Sequence, residues 1–296
     1  MNDAQTLSFF QGALFRTFGQ EVNIISYRPI SGGCINNGTK VQFQMGREEQ
    51  TIFLKWNKDV DADFFAAETL GLKLLGDQNV LTLPRVFAQG NYMGIDYLAL
   101  QYINSQPPHK DFWNDFGQKL AKLHQTTATQ YGLEHDNYIG RLPQKNTQMS
   151  DWTDFFIENR LEVQLGLALY NKLITKEFAR KFRFLYSQLP GLLVDEPPSL
   201  LHGDLWSGNF ITDEKGSAAI IDPAVYYGNR EIEIAFTQLF GGFDSQFYRS
   251  YHEAYPLQTG FQERVDIYNL YPLLVHVNLF GQSYLSGVER TIRKYV

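Results

Sequence analysis

Residues 201–222 read LHGDLWSGNFITDEKGSAAIID. Asp204 and Asn209 stand five positions apart on a segment that reads as a loop, and Asp222 closes the stretch. Between them lie two short strand-like runs, 209–212 and 217–221, joined by the turn Asp213-Glu214-Lys215-Gly216. A polar turn ending in glycine between two apolar runs predicts a hairpin. Such a hairpin folds Asp222 back beside Asn209, so that two oxygen ligands and one unpaired carboxylate converge. That is a place for Mg²⁺ and a hydroxyl, because Mg²⁺ takes oxygen ligands from one or two protein groups plus phosphates.

The rest of the chain bounds this chemistry. At 296 residues it is long enough for two lobes with a substantial core. A hydrophobic content of 44% and a charged content of 20% describe a folded protein rather than a disordered one. The net charge, 26 − 32 = −6, argues against nucleic acid or an acidic membrane surface as partner. No apolar run approaches the length of a bilayer span, and the opening MNDAQTLSFF lacks a basic segment followed by an apolar one. A single cysteine excludes an internal disulfide, so a cytoplasmic enzyme is the default expectation.

Upstream, residues 3–18 place Leu7, Phe10, Leu14 and Phe18 on one helical stripe. Two strand-like runs, 22–30 and 39–44, flank Ser31-Gly32-Gly33-Cys34-Ile35-Asn36-Asn37-Gly38. A glycine-rich turn between strands lays backbone N–H groups over phosphates, here around Gly32, Gly33 and Asn36. A plain hairpin is the simpler alternative, since the turn is neither a Walker loop nor the full protein-kinase glycine pattern. The next strand, TIFLKW at 51–56, holds Lys55 inside an apolar run, where a lysine is costly unless paired or facing a ligand. Glu68 follows within a helix over 61–75, on the face shared by Phe64, Ala67, Gly71, Leu72 and Leu75. The economical expectation is a Lys55–Glu68 pair holding the ammonium against nucleotide phosphates. Two snorkelling surface residues are the alternative.

Runs 84–90 and 97–103 complete a small antiparallel sheet and lead into Asn104-Ser105-Gln106-Pro107-Pro108, a natural linker between lobes. Backbone groups of Gln101 and Ile103 at this crossing are candidates to hydrogen-bond a purine edge, an expectation that composition alone does not show. Beyond Pro108 the chain reads helical, apart from a long polar loop at 126–150 and the stretch quoted first. The expected fold class is therefore α+β and bilobal. Residues 1–103 form a small antiparallel-sheet nucleotide-binding lobe, and residues 104–296 a larger, mostly helical catalytic and acceptor-binding lobe. Phosphoryl transfer to an alcohol needs a carboxylate near the hydroxyl, Mg²⁺ across the phosphates and cations against the spreading charge. Asp204 fits the first role, Asn209 and Asp222 the second, and Lys55 with the glycine-rich turn the third. Each residue alone has a plainer explanation as a cap, a turn residue or a strand end. Their common order and spacing argue against chance.

HGDLWSGN at 202–209, followed by IDPAVYYGNREIEIAFTQLFGGF at 221–243, resembles the fructosamine kinase, or ketosamine-3-kinase, family. These are relatives of aminoglycoside and choline kinases within the protein-kinase-like fold. The resemblance extends through SGGCINN at 31–37, AETLGLKLL at 67–75, NYIGRLPQKN at 137–146 and DWTDFFIENRL at 151–161. It implies Asp204 as catalytic base, Asn209 and Asp222 as Mg²⁺ ligands, and Lys55, paired with Glu68, on the ATP phosphates. Gly203 replaces the arginine that protein kinases place before the catalytic aspartate, which implies a site assembled without activation-loop phosphorylation. Glu233 stands where many members have aspartate.

The implied reaction is ATP-dependent phosphorylation of O3 of a ketosamine such as a fructosamine or ribulosamine, free or protein-bound, a deglycation step that frees the amine. Trp206 offers a flat face for the sugar, with core packing as the alternative. Asn146, Trp152, Phe156 and Arg160 are further candidates for the acceptor pocket, helix-face packing being at least as good an explanation for the two aromatics. Cys34 is either a small turn residue or an exposed thiol that links two chains on oxidation, so monomer and homodimer both stay open. The competing functions are phosphorylation of another small alcohol, of aminoglycoside or choline type, and a catalytically silent nucleotide-binding module. The family-specific FGGF block counts against the first, and the full residue set against the second.

Overall fold

The computed structural model describes residues 2–30 and 36–295. Alternating strands in the first third build an antiparallel sheet of β1 (Asn23–Pro29), β2 (Asn37–Met45), β3 (Glu48–Asn57), β4 (Val86–Tyr92) and β5 (Ile95–Gln101), in the order β1-β2-β3-β5-β4. Because side chains alternate across a strand, each run has two faces. Val41, Phe43, Ile52, Leu54, Tyr97 and Ala99 pack on one side with Phe9, Phe10, Ala13 and Leu14 of α1 (Asp3–Phe18). Leu98 and Leu100 pack on the other with Phe64, Phe65 and Leu72 of α2 (Phe64–Gly76). Lys55 is two residues past Phe53 and shares its α2-facing side. Within α1, Phe10 and Leu14 are buried as expected, but Phe9 and Ala13 join them while Leu7 is 37% exposed, so the buried stripe is shifted sideways toward Phe9 and Ala13. Asn2 caps this helix by accepting a hydrogen bond from Gln5 N, and Gly19 ends it in the left-handed conformation.

The remaining chain packs around one large core. The helices α3 (Phe112–His124), α4 (Trp152–Phe155) and α5 (Glu162–Tyr170) come first, with a π-helical turn at Phe156–Leu161 joining α4 to α5. They are followed by α6 (Lys176–Phe184), α7 (Leu189–Leu192), α8 (Arg230–Thr237), α9 (Ser245–Ala254), α10 (Phe261–Tyr268), α11 (Leu270–Phe280) and α12 (Leu285–Ile292). Three short ladders are set among them. The expected polar loop contains one, β6 (Asn137–Ile139) against β7 (Leu142–Gln144). The second pairs β8 (Ser199–Leu201) with β11 (Tyr226–Gly228), and the third pairs β9 (Phe210–Thr212) with β10 (Ala218–Ile220). No described helix is long and apolar enough to cross a membrane.

Hydrogen bonds stitch the linker after β5 to the β9–β10 hairpin. Thr212 Oγ1 donates to Gln106 O at 2.5 Å, Gln106 N to Asp213 O at 3.3 Å and His109 N to Gly216 O at 3.1 Å. On the other side, Thr82 Oγ1 donates to Asp213 Oδ2 at 3.0 Å and Ile220 N to Thr82 O at 3.0 Å. Segments before and after the last two strands of the sheet therefore both grip the hairpin, which fixes it relative to the sheet.

Candidate active site

The hairpin registers Thr212 against Ala218, Ile211 against Ala219 and Phe210 against Ile220. Asp213 holds its turn, its Oδ1 accepting from Lys215 N at 2.8 Å and Ser217 N at 2.9 Å. One further backbone bond, Ile221 N to Asn209 O at 3.0 Å, closes the open end and delivers Asp222 beside Asn209. Asp222 itself lies at φ 57°, left-handed backbone that aspartate tolerates better than most residues.

Asp204 is pinned from several directions. Asn209 Nδ2 donates to Asp204 Oδ2 at 2.8 Å and to Asp204 O at 2.7 Å. Asp204 N donates to His202 Nδ1 at 3.3 Å, while His202 Nε2 donates to Ile221 O at 2.9 Å, a pattern that requires the neutral imidazole protonated on Nε2. Burial holds His202 below its ordinary pKa, in agreement with that tautomer. Burial also raises the Asp204 carboxyl well above its ordinary value; the Asn209 amide opposes the rise, and Asp222 and Glu233 add to it. A carboxylate moved toward neutrality is a better general base at neutral pH than an ordinary aspartate.

Glu233 organises this loop from below. Its Oε1 accepts from Gly203 N at 2.6 Å, and its Oε2 accepts from His202 N at 3.2 Å and bonds His124 Nε2 at 2.9 Å. Burial pushes its pKa up, but His124, His202 and Gly203 together hold it below the ordinary value. Gly203 has φ +84°, and a Cβ there would stand 1.9 Å from Ala224 O. No arginine fits at this position without moving the chain, which gives a steric reason for the glycine.

Lys55 is almost fully buried and bridges two carboxylates, Glu68 Oε1 at 2.6 Å and Asp222 Oδ1 at 2.7 Å. Burial alone would pull the ammonium down, yet Asp222 and Glu68 hold it above its ordinary pKa. Lys55, Glu68, Asp204, Trp206, Asn209 and Asp222 all line one cavity of about 790 Å³. Asn36 lines it as well, its Oδ1 accepting from Asn57 Nδ2 at 3.1 Å. Gly32, Gly33 and Cys34 lie outside the described residues. Gln101 and Ile103 sit at and just past the end of β5 and are not among the lining residues. The Gln101 N–H is committed to Arg85 O at 2.8 Å, so any purine contact from that residue falls to its carbonyl. Trp206 is half-buried on the cavity wall rather than in the core.

Asn146, Trp152, Phe156 and Arg160 stand elsewhere. All are buried, and Arg160 is packed over Tyr226 at 3.9 Å and Phe155 at 4.7 Å while donating to Asn146 Oδ1 at 2.9 Å. A guanidinium with those partners secures the core. The far wall of the cavity is formed instead by Phe240, Val275, His276, Leu279, Phe280, Ser283 and Tyr284, with Tyr138 at the front. Among these, the FGGF run around Phe240 was the available signal; the α11 residues read only as an apolar helix.

A model of the fructosamine kinase family matches residues 9–296. The chain belongs to this family. A probable ketoamine kinase of Synechocystis sp. is 38% identical over 285 residues, covering 94% of this chain and 93% of the relative. A chloroplastic protein-ribulosamine 3-kinase of Oryza sativa subsp. indica is 35% identical over 292 residues, covering 95% and 81%. A crystal structure from Thermobifida fusca, provisionally assigned as a fructosamine-3-kinase, superposes with a TM-score of 0.85 at 31% identity over 96% of both chains. A thermostable mutant of aminoglycoside phosphotransferase APH(4)-Ia, at 15% identity and a TM-score of 0.60 over 96% of this chain and 98% of its own, shares the fold alone. Like the rest of the fructosamine kinase family, then, this chain is a kinase with an α+β, bilobal, protein-kinase-like architecture.

Proposed function

We propose that this kinase transfers the γ-phosphoryl group of ATP to O3 of a ketosamine, a fructosamine or ribulosamine, as a deglycation step in the cytoplasm. The supporting observation is the convergence of Asp204, Asn209, Asp222 and the Lys55–Glu68 pair on one cavity large enough for nucleotide and sugar together. In this reading residues 1–103 hold the nucleotide and residues 104–296 hold the acceptor.

The donor set suits Mg²⁺. Both recorded hydrogen bonds of the Asn209 side chain use Nδ2, so its Oδ1 stays available beside the half-exposed Asp222 carboxylate. Among the described residues no group of three or more His, Cys, Asp or Glu side chains could cage a metal, as befits an ion that relies on phosphate oxygens and water. Asn209 and Asp222 would hold the ion, and the ion would supply charge neutralisation between the phosphates. Lys55, kept cationic by its two carboxylates, steadies the phosphates from the sheet side. With Oδ2 engaged by Asn209, Asp204 takes the proton of the sugar O3–H. The O3–phosphorus bond then forms as the bond to the ADP oxygen breaks. Trp206, two residues past the base, stacks on the sugar.

ATP consumption with a fructosamine and a ribulosamine, run beside choline and an aminoglycoside, tests this reading. Turnover confined to the ketosamines is expected. Turnover confined to choline or the aminoglycoside sinks it.

A further inference from the structure

Left-handed backbone outside glycine occurs at five described residues, Asn79, Met93, Lys172, Asp222 and Phe240. Two of the five, Asp222 and Phe240, line the large cavity. The first is a member of the polar cluster. Phe240 is a bulky residue for which φ 55° is a genuine outlier, and such outliers persist where the surrounding structure imposes them and cluster at functional sites. Gly241 at φ 102° and Gly242 at φ 72° continue the same turn just past the end of α8. Three consecutive residues are thereby held left-handed, and Phe240 is kept on the cavity wall.

The Phe240 ring meets other rings in a chain leading away from the base. Its centroid lies 6.1 Å from Trp206, 4.6 Å from His276 and 6.0 Å from Tyr284. Phe280 follows at 5.5 Å from His276 and 6.1 Å from Tyr284. His276 donates from Nδ1 to Pro272 O at 2.7 Å, and burial holds its pKa below the ordinary value, so the ring is neutral at pH 7. The wall carries no carboxylate. At its outer end Phe280 is 44% exposed, an area the fold leaves open to water. A single exposed phenylalanine needs no explanation, but a run of rings continuous with the cavity of the catalytic base does.

Resting on the ketosamine reading, we infer that Phe240, Tyr284 and Phe280 form a subsite for the apolar group carried by the substrate amine, selecting ketosamines of aryl- and alkylamines. With O3 at Asp204 and the phosphoryl group arriving from the Lys55–Asp222 side, the substituent on C1 leads toward the opposite wall, which is this one. The sugar stays on Trp206 and the amine substituent runs along the rings to Phe280.

The test compares 1-deoxy-fructose derivatives of methylamine, butylamine and benzylamine in wild type, Phe280→Ala and Phe240→Leu, with melting curves to confirm that the variants fold. In wild type kcat/KM rises about 10-fold or more from the methyl to the benzyl substrate, because added apolar groups in a hydrophobic pocket discriminate at about that level per group. The rise is carried by KM. Phe280→Ala brings that ratio down to about 3-fold or less, and Phe240→Leu reduces it as well. Equal kcat/KM across the wild-type series overturns the inference, as does a folded Phe280→Ala enzyme that keeps the full ratio. Loss of turnover on all three substrates by the same factor also overturns it, since that marks a structural role. If no ketosamine is phosphorylated while choline or an aminoglycoside is, the functional reading has failed and the inference falls with it.

Discussion

On one side of the cavity stand Lys55, Glu68, Asp204, Asn209 and Asp222; on the other stand Phe240, His276, Phe280 and Tyr284. The polar side is tied by charge-assisted contacts between 2.6 and 2.8 Å, in which Lys55 meets Glu68 and Asp222, and Asn209 meets Asp204. The aromatic side is held by ring contacts of 4.6 to 6.1 Å, without a formal charge. On the proposed function, changes on the first side remove charge at the reacting centre and are expected to act on kcat. Changes on the second remove contact area and act on which acceptor is preferred.

The sharpest way to break this division is Asp204→Asn. The amide keeps the size and the hydrogen bond to Asn209 but cannot take a proton. A kcat loss of about 10²–10⁴-fold is expected, the range ascribed to a positioned general base. Nucleotide affinity, measured by calorimetry, should change little. A variant that kept a tenth of wild-type turnover would remove Asp204 from its role and leave the polar wall without a base.

Lys55 allows structure and chemistry to be separated on the same wall. Lys55→Met leaves the buried Glu68 carboxylate unpaired, at a cost of about 3–5 kcal/mol in denaturant unfolding. Adding Glu68→Leu replaces the pair with apolar groups and should return most of that stability. Activity should stay about 10²–10³-fold down in both, because a preorganised cation is missing in both. Recovery of turnover along with stability would show that the pair serves the fold alone.

Glu233 lies beneath the polar wall and touches no ligand-facing atom. Glu233→Gln presents an amide where two backbone N–H groups need an acceptor, shifting the Asp204 loop, and a misplacement of about 1 Å costs about 10²-fold in kcat. Its pH signature follows from its lowered pKa. The folded value lies below the ordinary 4.5, so the stabilisation is complete above pH 4.5 and is lost as pH falls through the folded value. Denaturation at pH 7 and at pH 4 should show the gap between wild type and Glu233→Gln widest at pH 7 and narrower in acid. A gap that widens in acid would contradict the assigned charge state.

Why one wall was legible and the other was not has a physical origin. The proposed base, metal ligands and phosphate-binding cation call for particular residue types, so Asp204, Asn209, Asp222 and the buried Lys55 stand out against their surroundings. The turn at Asp213–Gly216 and the period-2 runs similarly exposed the hairpin and the sheet. An aromatic wall can be built from many residues on many helices. In α11, Val275, Leu279 and Phe280 look the same whether they face core or cavity, because helical periodicity shows a face but not its neighbour. For the same reason Trp152 and Phe156 looked like acceptor residues and are core. Glu233 escaped because its three partners, His124, His202 and Gly203, come from distant parts of the chain.

The smallest expected effect lies where the two walls meet. Tyr138, on β6, reaches across the front of the cavity to the start of α2, bonding Asp63 Oδ1 at 2.6 Å and Asp61 Oδ2 at 3.2 Å, with Phe64 packed 4.7 Å from its ring. Burial, with the two aspartates adding to it, keeps this phenol protonated and donating well beyond neutral pH. Tyr138→Phe preserves the ring contact and deletes only the hydroxyl. Because the aspartates face water, the stability change should be about 1 kcal/mol or less. The lost tie between the β6–β7 hairpin and α2 should instead loosen the front of the cavity, raising KM for ATP and acceptor together by less than about 5-fold, with kcat little changed. Steady-state kinetics at saturating and limiting ATP measure this directly. A kcat loss approaching that of Asp204→Asn would mean that Tyr138 belongs to the polar wall, and the boundary between charge-driven turnover and area-driven selection would have to be redrawn through it.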